Sequence, residues 1–317
     1  MNLMPGCPIC SSHDTRKEPF HYSFRGREIH GYSCGNCGII FLSPQPTSDE
    51  LKQLYSAEYF EGGDFRCGHE GSAFAQETLD HLVSEHTLDE IQALMPNGKL
   101  LEVGCASGAF LNAARKRGYD VEGVELSEDA SRIAREKFGI QVFQGDLLDA
   151  RFDNGAFDVV YMGDVIEHLP DPLATLAELH RIIRPGGLLA LELPSQTHTL
   201  FSRLGFFVYR ILGRSTAVSL PPYHLFEYRP GSLRYLLEHS GFSVERLAQG
   251  CISPGEVHLR GGMHQRVGKK ILQYPNWLLT RFLHVYGDRM AVFAARDDAM
   301  TKDYHQATKS PSDTKGI

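Results

Sequence analysis

Short apolar runs alternate with stretches of helical spacing through the middle of the chain. Leu100 to Val103 reads as a buried parallel strand, and Tyr119 to Glu125, Val142 to Gln144, Phe157 to Met162 and Leu188 to Leu193 read as four more. A helix is expected from near Phe110, and Leu173, Leu176, Leu179 and Ile183 fall on one face of a helix over Pro172 to Ile183. Past Leu193, a helix from Gly231 to Ser240 leads to a sixth strand, Gly241 to Leu247, and Met290 to Ala295 is the best candidate for a seventh. The alternation predicts an α/β fold with a seven-stranded sheet.

Other patterns lie outside this rhythm. Phe20 to Tyr32 alternates loosely, as a hairpin would. A short helix is expected over Ser48 to Tyr55, capped by Thr47 or Ser48, and a longer one over Ser72 to Met95, with a glycine-marked flexible loop at 61–71 between them. Leu200, Phe201, Leu204, Phe207, Val208, Ile211 and Leu212 form one stripe of an amphipathic helix, with Arg203, Arg210 and Arg214 elsewhere. Core packing, a lid over an apolar substrate and contact with a membrane surface through 199–213 all fit that stripe. Arg260, Arg266, Lys269 and Lys270 make a basic patch, read as a solvated helix face, ahead of an apolar helix around Trp277 to Val285. The polar tail at 298–317 is expected to be disordered.

The chain has 317 residues, 42% of them hydrophobic, enough for one large α/β domain and a small appendage. A formal net charge of -7 gives no general attraction to nucleic acid, so no nucleic-acid partner is expected. Neither a signal sequence nor an apolar run of membrane-spanning length is visible, and a cytoplasmic location is the expectation.

Four of the seven cysteines form two CxxC pairs, Cys7 with Cys10 and Cys34 with Cys37, with 23 residues between the pairs. That is the spacing of a zinc ribbon, in which four thiolates close a tetrahedral Zn2+ site with no open position. The expected organisation is a ribbon at 1–43, a linker and helical substrate-side segment at 44–87, and a large domain at 88–297 with a lid insertion at 197–222. Loss of the metal should unfold the ribbon and spare the sheet.

The chemistry gathers at the strand ends. Gly104 and Gly108 bracket a turn between the first strand and its helix, where a Cβ would keep the backbone from approaching a ribose or phosphate. About 20 residues further on, Glu125 ends the second strand, where a ribose-binding carboxylate belongs. Asp146 and Asp164 follow the third and fourth strands, at the edge where open α/β sheets bind ligands.

With these motifs the segment from Leu88 to Asp297 resembles the class I S-adenosylmethionine-dependent methyltransferases. The resemblance implies their Rossmann-like fold and S-adenosyl-L-methionine (SAM) as cofactor. It places Glu102, Gly104, Cys105, Ala106 and Gly108 at the methionine end, Glu125 and Leu126 at the ribose, Asp146 and Leu147 at the adenine, and Gly163 and Asp164 at the edge of the fourth strand. Ala106 stands where a third glycine is common. The segment Asp164–Leu169 looks like the motif after the family's fourth strand, and His168 is read there as part of the substrate site's frame. With its ribbon the chain is similar to sugar C-methyltransferases and to ubiquinone-type O-methyltransferases, and Tyr55, Tyr59 and Tyr223 are carried over as substrate-side residues. Sugar C-methyltransferases have Glu before the histidine at the position of His224, where this chain has Tyr223. That departure favours O-methylation of a small-molecule, glycosyl or lipid-linked acceptor over methylation at carbon, with His224 as general base. Two alternatives stay open, an RNA methyltransferase and a cofactor-binding interaction module without catalysis.

Overall fold

The computed structural model describes residues 4–54, 85–218, 220–251 and 263–297. Tyr55, Tyr59, the expected glycine loop at 61–71, most of the helix expected from Ser72, the basic residue Arg260 and the tail at 298–317 lie outside the described residues. No helix among the described residues is long and apolar enough to cross a membrane.

The chain opens with a hairpin, Thr15–Phe24 (β1) and Arg27–Cys34 (β2), followed by Ile40–Ser43 (β3). Phe24 pairs with Arg27, which leaves a two-residue turn of Arg25 and Gly26, both at positive φ (49° and 77°). That twist matches the twist of the strands it joins. Ser48–Leu54 (α1) begins with a reciprocal cap: Thr47 Oγ1 accepts from the Glu50 N–H at 3.3 Å, and Glu50 Oε2 accepts from the Thr47 N–H at 2.8 Å. Thr47 is therefore the cap.

The expected α/β sheet follows. Glu85–Leu94 (α2) leads into Lys99–Val103 (β4), Ala109–Lys116 (α3), Asp120–Glu125 (β5), Glu128–Phe138 (α4), Gln141–Gln144 (β6), Phe157–Gly163 (β7), Pro172–Ile182 (α5) and Ile183–Pro194 (β8). After β8 come Leu200–Ile211 (α6), Thr216–Val218 (β9), Phe226–Glu227 (β10), Pro230–Glu238 (α7), Phe242–Gly250 (β11), Met263–Leu283 (α8) and Arg289–Arg296 (β12). Seven strands form one sheet in the order β11-β12-β8-β7-β4-β5-β6, with β12 antiparallel to both of its neighbours. The order reverses between β4 and β7, so the carboxyl ends of these two strands flank the crevice where such sheets take ligands.

A second sheet has five strands in the order β10-β3-β2-β1-β9. The three strands of the amino-terminal hairpin region sit in its middle, and both outer strands come from the segment after β8. One continuous core holds Cys7, Cys34, Cys37, Ile39 and Phe41 together with Leu189, Leu191, Leu225 and Leu233. The amino-terminal unit is thus paired and packed into the large domain on both flanks.

Candidate functional site

The turn after β4 is built from backbone that few side chains tolerate. Gly104 has φ 76°, and a Cβ there would stand 2.5 Å from Val165 Cγ2. Gly108 caps α3 at φ 78°, where a Cβ would meet Ala134 Cβ at 3.0 Å. Ala106 adopts φ 44°, a left-handed conformation that costs an alanine about 1 kcal/mol or more. Its N–H donates to Glu125 Oε2 at 2.8 Å, while Glu125 Oε1 accepts from the Ser127 N–H at 2.8 Å. The carboxylate at the end of β5 is thereby locked in one orientation against the turn. Burial raises its pKa above the ordinary value, against the pull of the Ser127, Ala106 and Leu126 amides.

Beneath the turn, Glu102 is buried and its Oε2 has no hydrogen-bond partner, as is also true of Ser107 Oγ. Burial, with Glu125 adding repulsion, pushes the Glu102 carboxyl well above its usual range. Cys105 is buried, and burial followed by the nearby Glu102 and Glu125 holds its thiol protonated. At the neighbouring strand ends Leu126 is 64% exposed. Leu147 is buried, and Asp146 is exposed and caps the next turn through Leu148 N–H at 2.9 Å.

Around the end of β7, Asp164 takes φ 53° and its two oxygens accept from Arg289 Nη2 at 2.8 and 3.0 Å. Three residues on, the Glu167 side chain is 2% exposed, and neither carboxylate oxygen has a hydrogen-bond partner. Burial, then the charge of Asp164, pushes its pKa up to about 8. His168 donates from Nδ1 to Tyr223 O at 2.9 Å, which leaves Nε2 as the acceptor, 3.7 Å from Glu167 Oε1. Burial and the neighbouring His224 lower the His168 pKa to about 3, so the ring is neutral at working pH.

His224 packs edge-on to His168, ring centroids 4.9 Å apart, with Nδ1 3.7 Å from Glu227 Oε1. Burial opposes its protonation, but Glu227, Glu167 and Asp164 outweigh that and hold the imidazole above its ordinary pKa. Glu167, His168 and His224 place ligand atoms within 4.8 Å of one another. Such a set can hold a proton between carboxylate and imidazole, or accept a divalent cation.

Residues 74–247 match the family model of the methyltransferase domain. The chain belongs to that family. Over 179 residues this methyltransferase is 26% identical to the ubiquinone biosynthesis O-methyltransferase of Thiobacillus denitrificans, covering 52% of this chain and 73% of the relative. It is 31% identical over 179 residues to the demethylmenaquinone methyltransferase of Staphylococcus saprophyticus, covering 51% and 77% respectively. Among solved structures, one from Thermotoga maritima described as a possible histamine N-methyltransferase is 19% identical with a TM-score of 0.47, covering 69% of this chain and 92% of that one.

The methyltransferase uses SAM, and the turn after β4 fits it. Glu102 Oε2, buried with no hydrogen-bond partner, is an acceptor that a cofactor's ammonium could satisfy, and the left-handed Gly104 and Gly108 let the chain turn there against Val165 and Ala134. In the amino-terminal unit, Cys7 Sγ lies 3.6 Å from Cys37 Sγ and Cys10 Sγ 3.5 Å from Cys34 Sγ. All four sulfurs are within 4.8 Å of one another. Tetrahedral zinc with bonds of about 2.3 Å requires sulfurs about 3.8 Å apart, so the cage is of the right size. Gly38, at φ 75°, makes the turn after Cys37. Gly35 allows a close approach, since a Cβ there would meet Asp14 Oδ2 at 2.0 Å.

The sequence placed Glu125, Asp164, His168, Tyr223 and His224 at this edge, and the fold brings the last four together. It did not single out Glu167, Glu227 or Arg289. Glu167 sits within the quoted motif Asp164–Leu169 and was legible there. Glu227 and Arg289 are ordinary surface types by sequence, and only folding sets them beside His224 and Asp164.

The stripe on α6 is a correction to one expectation. No residue of that helix is buried; Leu200 and Phe201 are half-buried, and Leu204, Phe207, Val208, Ile211 and Leu212 are exposed, so among the described residues no core covers most of the stripe. The helix is held by Phe206, off the stripe and stacked on Phe20 with centroids 5.5 Å apart, and by Arg210, 2.9 Å from the buried Glu18.

Proposed function

We propose that this methyltransferase transfers the methyl group of SAM to a hydroxyl oxygen of an apolar small molecule, with His224 as general base. The observation that carries the reading is the pair of imidazoles packed at the ligand edge, His168 fixed through Nδ1 to Tyr223 O and His224 set 3.7 Å from Glu227 Oε1. When bound, SAM supplies a methyl already activated by its sulfonium. The protein then has to align the acceptor oxygen and take its proton. His224 receives that proton, and Glu167 and Glu227 stabilise the imidazolium that forms. Glu102 would hold the cofactor's ammonium, Glu125 and Leu126 its ribose and Asp146 with Leu147 its adenine. Gly163 lines the strand end, while Asp164 anchors Arg289.

The relatives' names point to quinone-type acceptors, and the exposed stripe of α6 suits an apolar one, whether α6 works as a lid or by resting on a lipid surface. Glycosyl and lipid-linked hydroxyl compounds remain within the same chemistry. The four thiolates would hold one structural zinc ion.

Incubation with methyl-labelled SAM and a panel of catechols, hydroquinones and nucleotide sugars, followed by NMR of the product, tests the reading. A label attached through oxygen to a ring hydroxyl is the expected result. Label on carbon, or transfer confined to RNA, would overturn it.

A further inference from the structure

The five-stranded sheet does more than house four cysteines. Its outer strands β9 and β10 are the two ends of a single loop, residues 216–227, and that loop carries Tyr223 and His224. β9 pairs in parallel with β1 through Phe20–Tyr22, and β10 pairs antiparallel with β3 through Phe226 to Phe41 and Glu227 to Ile40. From one outer strand to the other is four strand spacings, about 19 Å. The eight residue steps from Val218 to Phe226 reach about 27 Å at full extension. The connection therefore has about 8 Å of reach to spare over that span, and Pro221 and the buried Pro222 stiffen it.

The cysteine cage leads directly to the same point. Cys37 is followed by Gly38, Ile39 and β3, and the Cys34 N–H donates to Ile39 O at 2.9 Å, closing the knuckle onto the strand. From β3 the Leu42 N–H donates to Leu225 O at 3.0 Å, and the Leu225 N–H donates to Glu167 O at 2.8 Å. Leu225 is fully buried. Two hydrogen bonds thus join the cage strand, the residue after His224 and the residue before His168.

We infer that the cysteine ribbon is a positioning device for the methyl-transfer site: with its metal bound it holds β3 as the template on which Leu225, and with it His224, is set against Glu167 and His168. This rests on the reading of His224 as the catalytic base, but the coupling itself can be measured without turnover. It keeps the expectation that metal loss would unfold the ribbon and spare the seven-stranded sheet, and adds 216–228 and 165–168 to what opens with the ribbon. Leu42 and Leu225 are positioning residues, since neither reaches the reacting atoms.

Hydrogen–deuterium exchange on the full chain before and after treatment with a zinc chelator, with SAM affinity by calorimetry in parallel, tests the inference. Chelation should open 15–43 together with 216–228 and 165–168, leave β4, β7 and β8 protected, and change SAM affinity less than about threefold. Protection of 216–228 that survives the opening of 15–43 would overturn the inference. In a second arm Leu42→Pro keeps all four thiols and deletes the N–H that reaches Leu225. This variant should retain its metal, lose protection at 216–228, and show kcat reduced about 10- to 100-fold, the scale of an ångström's misplacement, with the KM for SAM nearly unchanged. Wild-type protection at 216–228 in Leu42→Pro would also refute the coupling. Intact coupling of protection alongside an active His224→Gln variant would instead fault the assignment of the base and leave the coupling standing.

Discussion

Glu167→Gln is expected to be more stable than the parent protein in base and less stable in acid. The Glu167 carboxyl is buried with no donor to either oxygen, and its pKa rises from 4.5 to about 8. The folded state binds this proton more tightly than the unfolded chain does. Its contribution to stability is therefore complete below about pH 4.5 and is lost as the pH rises through the window up to about 8. A shift of that size corresponds to about 5 kcal/mol at full ionisation, an upper bound because His224 shares the charge.

Glutamine keeps the shape and cannot ionise, but it brings amide hydrogens with no acceptor, a cost of about 1–3 kcal/mol. At pH 9 the variant should then gain about 2–4 kcal/mol over the parent, and at pH 4.5 it should lose about 1–3 kcal/mol, with the two stability curves crossing at about pH 5–7. Urea unfolding of both proteins without ligand, at half-unit pH intervals, measures the difference directly. Curves that run parallel across the range would refute the reasoning, because they would mean the carboxyl is solvated or paired in the folded protein. The same variant should turn over more slowly, since a buried charge kept at the expense of stability is expected where it serves the site.

His224→Gln should lower kcat about 10²–10⁴-fold with SAM affinity nearly unchanged, and turnover within a few-fold of the parent would exclude the base assignment. Glu125→Ala should weaken SAM binding by about 1.5–3 kcal/mol in calorimetry, the scale of hydrogen bonds to a charged group, and unchanged affinity would remove Glu125 from the cofactor site. Elemental analysis of protein purified without chelator should find one zinc per chain, lost on Cys34→Ser; well under one equivalent in the parent would mean the cage is empty. Phe207→Glu with Ile211→Glu should leave the thermal transition within about 2 °C, because both residues are more than half exposed, and should abolish co-sedimentation with anionic vesicles if α6 rests on lipid. Unchanged co-sedimentation together with unchanged turnover of an apolar acceptor would deny the helix both of its remaining roles.

What the sequence alone determined is what local pattern can carry. Strand and helix periods, the glycines that set backbone angles after β4, the acids at strand ends and the CxxC spacings are each decided within a few residues, and the seven strands emerge near where the pattern puts them, except that β8 begins at Ile183, five residues before the expected Leu188. The capping ambiguity at Thr47 and Ser48 was local too, but only the hydrogen bonds resolved it.

Tertiary structure alone decided what depends on residues far apart in the chain. Two- and three-residue strands such as Phe226–Glu227 and Thr216–Val218 carry no period of their own, and they become strands because β3 and β1 present unpaired edges to them. An apolar stripe has the same period whether it meets a core or water, so the exposure of α6 was not readable from its sequence. Nor could composition reveal that Glu167 would be buried without a donor, or that Glu227 would stand beside His224 and Arg289 beside Asp164. A side chain's charge state is set by the dielectric and the partners around it, and these exist only once the chain has folded.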